Sequence, residues 1–187
     1  PGADRAVMSL TRLQEMKENG EPIVMVTAYD YPSATVAEAA GVDLVLVGDS
    51  AANVVLGYDR TDLVSIEEMI VLGKAVRRGL KTPLMVGDMP MGSYEASDEL
   101  AILNAQRLVK ETGCQAVKLE GGRALAPTVE FLVARGIPVV GHVGLMPQSV
   151  NTMGGYRARG RGDSEATAVM ADAIAVAEAG AFAIVVE

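Results

Sequence analysis

The chain has 187 residues, 50% hydrophobic and 21% charged, the composition of a globular protein rather than a disordered tail. Its 16 basic and 24 acidic residues give a net charge of −8, and with no Trp, two Phe and five Tyr it offers neither the basic surface nor the stacking platforms of a nucleic-acid binder. One cysteine, Cys114, and one histidine, His142, exclude a disulfide framework and a Cys- or His-rich metal site. No apolar run has membrane-spanning length and no charged-then-apolar leader opens the chain, so a cytoplasmic protein with no membrane partner is expected.

In chain order, Ser9–Lys17 reads as a short opening helix, with Thr11 and Gln14 at capping-box spacing. Apolar, β-branched runs follow at Ile23–Ala28, Leu44–Val47, Pro83–Val86, Ala116–Leu119, Pro138–Val140 and Ala183–Val186. Between most of them lie helix-like stretches: Ser33–Ala40, Ser65–Arg78, Asp98–Thr112, Pro127–Arg135 and Ser164–Ala179. Each stops at a glycine (Gly41, Gly79, Gly113, Gly136 and Gly180), the residue that most readily takes the left-handed turn closing a helix. Strands alternating with helices predict right-handed βαβ units and a parallel α/β sheet, in a single domain over residues 1–187.

Polar residues gather where these strands end. The first leads to Asp30, the second to Asp49-Ser50 and the third to Asp88; the fourth carries Lys118 and Glu120, the fifth ends at His142 and the sixth at Glu187. Parallel α/β folds bind ligands at the carboxyl ends of their strands. Residues two apart share a face, so Val45, Val47 and Asp49 form one set, Leu84, Val86 and Asp88 another, and Lys118 and Glu120 a third. If each set points into a barrel, three carboxylates and one ammonium converge. Oxygen ligands without His or Cys suit Mg²⁺. An isolated Asp at such a junction is more simply a helix N-cap. Lys118 is read as neutralising an anionic substrate or as a buried salt bridge, and His142 as an acid/base or as a satisfied strand-end histidine. Cys114 is read as core, and Gly121-Gly122 as a weak phosphate signal. The basic loop with Arg157, Arg159 and Arg161 is read evenly as a mobile polyanion-binding lid or as a solvated loop or subunit contact.

Taken together and in this order, Thr27-Ala-Tyr-Asp-Tyr31, Val47-Gly-Asp-Ser50, Val117-Lys-Leu-Glu-Gly-Gly122, Gly141-His142, Pro147-Gln-Ser-Val-Asn151, Gly154-Gly-Tyr156 and Gly160-Arg-Gly-Asp163 resemble the ketopantoate hydroxymethyltransferases, from about Ser9 to Glu187. The resemblance implies a (βα)8 TIM barrel, of which this chain supplies an N-terminal helix and about six strands. It implies a homodecamer using Mg²⁺ and, as cosubstrate, 5,10-methylenetetrahydrofolate. The implied reaction transfers a hydroxymethyl group to the 2-oxo acid 3-methyl-2-oxobutanoate, through a Mg-stabilised enolate, giving 2-dehydropantoate for pantothenate and coenzyme A biosynthesis. By motif, Asp49, Asp88 and Glu120 match the metal acids, and Asp49, Ser50, Asp88 and Lys118 the substrate contacts. Glu187 matches the proposed base, with Lys118 and His142 beside it; no residue is assigned to folate. Arg159-Gly-Arg161 departs from the usual Gln-Gly-Arg of the loop. Because a complete barrel has eight strands and about 250 residues, a C-terminal segment carrying the last strands is expected beyond Glu187. Two other readings are a Mg²⁺ barrel of the phosphoenolpyruvate mutase/isocitrate lyase type acting on 2-oxo acids, and a catalytically silent assembly subunit. The 147–151 and 154–163 motifs favour the first reading over the former, and the full set of rim acids argues against the latter.

Overall fold

A computed structural model describes residues 5–154 and 159–187. In chain order the elements are α1 (Leu10–Glu18), β1 (Met25–Thr27), α2 (Tyr31–Ala40), β2 (Leu44–Val47), α3 (Ala51–Val54), α4 (Ile66–Gly79), β3 (Leu84–Asp88), α5 (Asp98–Thr112), β4 (Ala116–Glu120), α6 (Ala126–Val133), β5 (Val139–Val143), α7 (Val150–Met153), α8 (Asp163–Glu178) and β6 (Ala183–Val186). Single 3₁₀ turns at Thr61–Leu63 and Pro147–Ser149 interrupt the loops after β2 and β5.

The strands form a 6-stranded sheet in chain order, β1 to β6, every neighbouring pair parallel. That order follows when each crossover places the next strand beside the last with the same hand. The sheet is curled and has two apolar faces. On its inner face Leu44, Leu84, Val86, Ala116 and Val140 pack with Leu13 and Met16 of α1. On its outer face Val45, Val47, Met85, Val117, Leu119 and Val139 pack with the helical layer, including Ala34, Val76, Leu108, Val129 and Val176. Burial on both sides explains why these strands read as continuous apolar runs rather than as alternating ones. The fold is that of a (βα) barrel, of which the described residues form a six-stranded part with β1 and β6 at its edges.

Local chemistry sets the element ends. Ser9, not Thr11, caps α1, its side chain accepting from the Arg12 N–H. Asp30 caps α2 in a reciprocal capping box with Ser33, so this rim acid is an N-cap. Ser65 and Glu68 form the same box at α4. Gly41 and Gly113 close α2 and α5 in the left-handed conformation. Gly79 differs from that expectation: it is the last residue of α4, and the chain leaves through an extended Leu80. Its reason is close packing of α4 on α2, because a Cβ there would lie 2.7 Å from Ala34 Cβ and 3.0 Å from the Tyr31 carbonyl oxygen. Gly79→Ala should therefore destabilise the protein by about 1–3 kcal/mol despite its better helix propensity, measured by urea unfolding; an unchanged midpoint would show that the helices part without cost.

Candidate active site

The register of the central strands builds the site. Pairing sets Asp88 of β3 beside Lys118 of β4, and Glu120 of β4 beside His142 of β5. All four side chains are buried. They lie on the inner face because Asp88 continues the Leu84–Val86 row, Lys118 and Glu120 continue from Ala116, and His142 continues from Val140. Lys118 Nζ lies 3.1 Å from Asp88 Oδ1, 3.9 Å from Glu120 Oε1 and 3.0 Å from His142 Nδ1. Burial alone would pull this ammonium down, but Asp88, Glu120 and Asp49 outweigh it and hold Lys118 above the ordinary lysine range.

Asp49 reaches the same place by a different route. The set Val45–Val47–Asp49 does not point inward: Val45 and Val47 face the helices, and Leu44 and Leu46 face the interior. The strand ends at Val47 and the chain turns at Gly48, which carries Asp49 over the strand end. There the Asp49 N–H donates to Asp88 Oδ2 at 2.9 Å. Ser50 follows, its hydroxyl 2.7 Å from the Tyr29 hydroxyl. Burial, then the charge of Asp88, push the Asp49 carboxyl up to about 8. Burial likewise raises Glu120 to about 7, against the pull of Lys118. His142 is driven down to about 4 by burial and by the Lys118 charge, which keeps it neutral.

Two residues that residue-type reasoning gave no role organise the roof. Gln148, in the turn after β5, is buried and donates from Nε2 to Asp49 Oδ2 at 2.8 Å and to the Met89 carbonyl at 3.0 Å. Its backbone N–H donates to Glu120 Oε2 at 3.0 Å. Tyr94, buried in the loop after β3, donates from its hydroxyl to Gln148 Oε1 at 2.6 Å and accepts from the Glu120 N–H at 3.2 Å. Gln148 falls within the Pro147–Asn151 motif, which was its one sequence signal; Tyr94 had none beyond its place in a loop at the strand ends.

Glu187 follows β6 directly and lies beside His142, its Oε2 3.2 Å from Nε2. Ala183 and Val185 do face the interior with it. The Glu187 side chain is partly exposed in this chain.

Asp49 and Asp88 are the pair that could hold a cation. Asp88 Oδ1 is buried without a hydrogen-bond partner apart from its ion pair with Lys118, and three carboxylates face a single ammonium. Two hard carboxylates with room for water and substrate oxygens are the usual protein share of a Mg²⁺ site. The structure does not gather Asp49, Asp88 and Glu120 into one ligand set: among the described residues no group of three or more His, Cys, Asp or Glu converges on a metal position. Glu120 is directed instead toward Lys118, His142 and the Gln148 N–H.

Gly122 and Cys114 have structural roles. Gly122 admits Asp172 of α8, whose side chain a Cβ there would strike and which accepts from the Arg123 N–H at 3.0 Å, while Gly121 lies against Leu125 just before α6, so both glycines serve packing. Cys114 is buried against Gly87, and burial pushes its thiol up. Of the basic loop, Arg157 lies outside the described residues, Arg159 pairs with Glu165 at 3.7 Å and Arg161 is exposed. A cleft of about 520 Å³ at the other end of the strands is lined by Arg5, Arg12 and Asp43, and its arginines are engaged by Glu38 and Glu21. No helix among the described residues is long and apolar enough to cross a membrane.

The curled parallel sheet with charged groups at its carboxyl rim is the form of a (βα)-barrel enzyme. Solved barrels share it: phosphonopyruvate hydrolase in complex with oxalate and Mg²⁺ matches with a TM-score of 0.72 at 15% identity, over 97% of this chain and 63% of that one. 2,3-Dimethylmalate lyase, a phosphoenolpyruvate mutase/isocitrate lyase superfamily member, matches with a TM-score of 0.66 at 18% identity, over 97% of this chain and 62% of that one. At such identities the likeness is one of fold. The chain belongs to the ketopantoate hydroxymethyltransferase family, whose sequence profile matches residues 7–187. It is 53% identical over 185 residues to the 3-methyl-2-oxobutanoate hydroxymethyltransferase of Moorella thermoacetica, covering 99% of this chain and 69% of that protein. It is 58% identical over 171 residues to the enzyme of that name from Paracoccus denitrificans, covering 91% of this chain and 62% of that protein. The chain thus spans 62–69% of the length of these curated relatives.

Gln148→Leu should leave Asp49 Oδ2, Tyr94 Oη and the Met89 carbonyl short of a partner in a buried setting. The expected loss is about 1–3 kcal/mol of stability, read from urea unfolding; a loss below the scatter of surface variants would show that the roof is held by something else.

Proposed function

We propose that this protein carries out the reaction named for its relatives, transfer of a hydroxymethyl group to 3-methyl-2-oxobutanoate. The observation that carries the reading is the buried arrangement of Asp49, Asp88 and Lys118 at the strand ends, with Glu187 at its edge. Asp49 and Asp88 would hold Mg²⁺. Bound there, the ion supplies Lewis-acid polarisation of the oxygens of a 2-oxo acid. Lys118 offsets substrate negative charge from within the sheet. Ser50, fixed by Tyr29, is placed to hydrogen-bond the substrate beside Asp49. Glu187, on the rim, takes the proton from C3 of the oxo acid. The methylene carbon is delivered from 5,10-methylenetetrahydrofolate as formaldehyde: water adds its oxygen to that carbon, both C–N bonds break and tetrahydrofolate leaves with the protons. The carbanion equivalent at C3 then attacks the formaldehyde carbon, and protonation of the resulting alkoxide gives the hydroxymethyl group of 2-dehydropantoate. Here Glu120 is a partner of Lys118 and His142 rather than a direct ligand of the ion.

The homodecamer implied by the family resemblance and a cytoplasmic location belong to the same proposal. Val36, Val71 and Leu103, exposed on α2, α4 and α5, are apolar outer surface that assembly would cover.

Two measurements test the reading. Asp49→Asn and Asp88→Asn should each weaken Mg²⁺ binding by at least the roughly 10-fold typical of losing even an outer-shell partner, by titration calorimetry; unchanged affinity in both variants defeats the metal assignment. In deuterated water without folate, the parent protein should exchange the C3 proton of 3-methyl-2-oxobutanoate. Glu187→Gln should lose that exchange while keeping its Mg²⁺ affinity. Exchange continuing at the parent rate would transfer the role of base to another group.

A further inference from the structure

We propose that Gln148 is a positioning residue of the cation site: its carboxamide holds the Asp49 carboxylate in place, so that a divalent cation and the docked loop after β5 stabilise each other. The inference rests on the metal role proposed for Asp49 and Asp88 above.

The two acids are held by different means. Asp88 is the last residue of β3 and is fixed by its strand, whereas Asp49 comes after the end of β2. The Asp49 backbone is tied by its N–H, which donates to Asp88 Oδ2. Its carboxylate accepts one hydrogen bond among the described residues, from Gln148 Nε2 to Oδ2 at 2.8 Å. Gln148 is itself buried, and its amide cannot turn. Nε2 also donates to the Met89 carbonyl at 3.0 Å, an atom that can only accept, so the nitrogen must lie on that side whatever the charge of Asp49. On the other side Oε1 receives the Tyr94 hydroxyl at 2.6 Å. The backbone N–H of the same residue donates to Glu120 Oε2 at 3.0 Å. A buried carboxamide with both donors and its acceptor committed specifies a single orientation. Gln148 thus takes Oδ2 of Asp49 and leaves Oδ1 for a cation. The consequence runs both ways. If docking of Gln148 raises cation affinity by holding Asp49, a bound cation must hold Gln148, and the loop with it, by the same factor. A second tie joins the loops after β2 and β5, from Arg60 Nη1 to Asn151 Oδ1 at 3.2 Å, but it is exposed and reaches neither acid.

Titration calorimetry with Mg²⁺ on the intact protein tests the first half. Gln148→Met keeps the length of the side chain and removes both donors. It should weaken Mg²⁺ binding by about 10–100-fold, the usual effect of losing a group that orients a metal ligand. Gly79→Ala, destabilised at the contact of α2 with α4, and Arg60→Ala, which cuts the exposed tie, should both keep the parent affinity. Parent affinity in a folded Gln148→Met overturns the proposal. An equal loss in Gly79→Ala or Arg60→Ala does so too, because general loosening would then be the cause. Hydrogen–deuterium exchange tests the second half. Saturating Mg²⁺ should slow exchange over residues 145–149 in the parent by up to the same factor, and should not do so in Gln148→Met. Unchanged exchange in the Mg²⁺-bound parent overturns the coupling, and this comparison needs no variant should Gln148→Met fail to fold. Loss of affinity in Asp49→Asn with none in Gln148→Met sinks this inference alone. A parent that binds no Mg²⁺ removes the metal assignment beneath it as well.

Discussion

One buried ammonium holds the site together. Lys118 lies near the end of a central strand, with β3 and β5 on either side, where water cannot solvate its charge. Burying an unpaired ammonium would cost several kcal/mol. It is tolerated because Asp88 on one side and Glu120 above it share the charge, with His142 Nδ1 within hydrogen-bond distance. The dependence is mutual. Without Lys118, Asp88 and Glu120 would be two buried carboxylates with only hydrogen bonds to oppose their repulsion. The ammonium thus makes it possible for acids to occupy the inner face of an otherwise apolar sheet.

Around that charge the site separates into two halves. On the β2–β3 side, Asp49 and Asp88 meet carboxylate to backbone N–H and form the half suited to a hard cation. On the β4–β6 side, Glu120, His142 and Glu187 lie in a row at distances of 3.6 and 3.2 Å. Gln148 spans the two, binding Asp49 with its side chain and Glu120 with its backbone. A single loop residue therefore couples the carboxylates of β2 and β4, and Tyr94 fixes the orientation of its amide. This explains why the turn after β5 is tied to the strand rim rather than left as a solvated connection.

The two Val-Gly-Asp strand endings look equivalent and are not. Register pairs Val47 with Gly87, so Asp88 is opposite Gly48 and Asp49 lies one residue beyond. Asp88 is the last residue of its strand and points inward by the pleat; Asp49 has left its strand and arrives through a turn. The inward position at Gly48 carries no side chain, and the neighbouring carboxylate of Asp88 instead receives the Asp49 N–H.

The parallel α/β class is legible in the residues alone, since continuous apolar strands and glycine-stopped helices follow from local propensity and burial on both faces. The observed β2 and β6 coincide with the expected Leu44–Val47 and Ala183–Val186, while β5 runs on through Gly141 and His142 to Val143. Simple parity also placed Asp88, Lys118 and Glu120 on shared faces, because within a strand the pleat is regular. It failed for Asp49, because parity has no meaning once the chain turns at Gly48. The reason for Gly79 is a neighbouring helix rather than a cap, and Gly122 makes room for a side chain from α8; neither contact is local in sequence. Gln148 acts across 99 residues on Asp49, and Tyr94 across 54 residues on Gln148. Residue type does not announce such partners. The meeting of Lys118 with Nδ1 of His142 is likewise not local, because register and ring orientation are set by the packing of neighbouring strands.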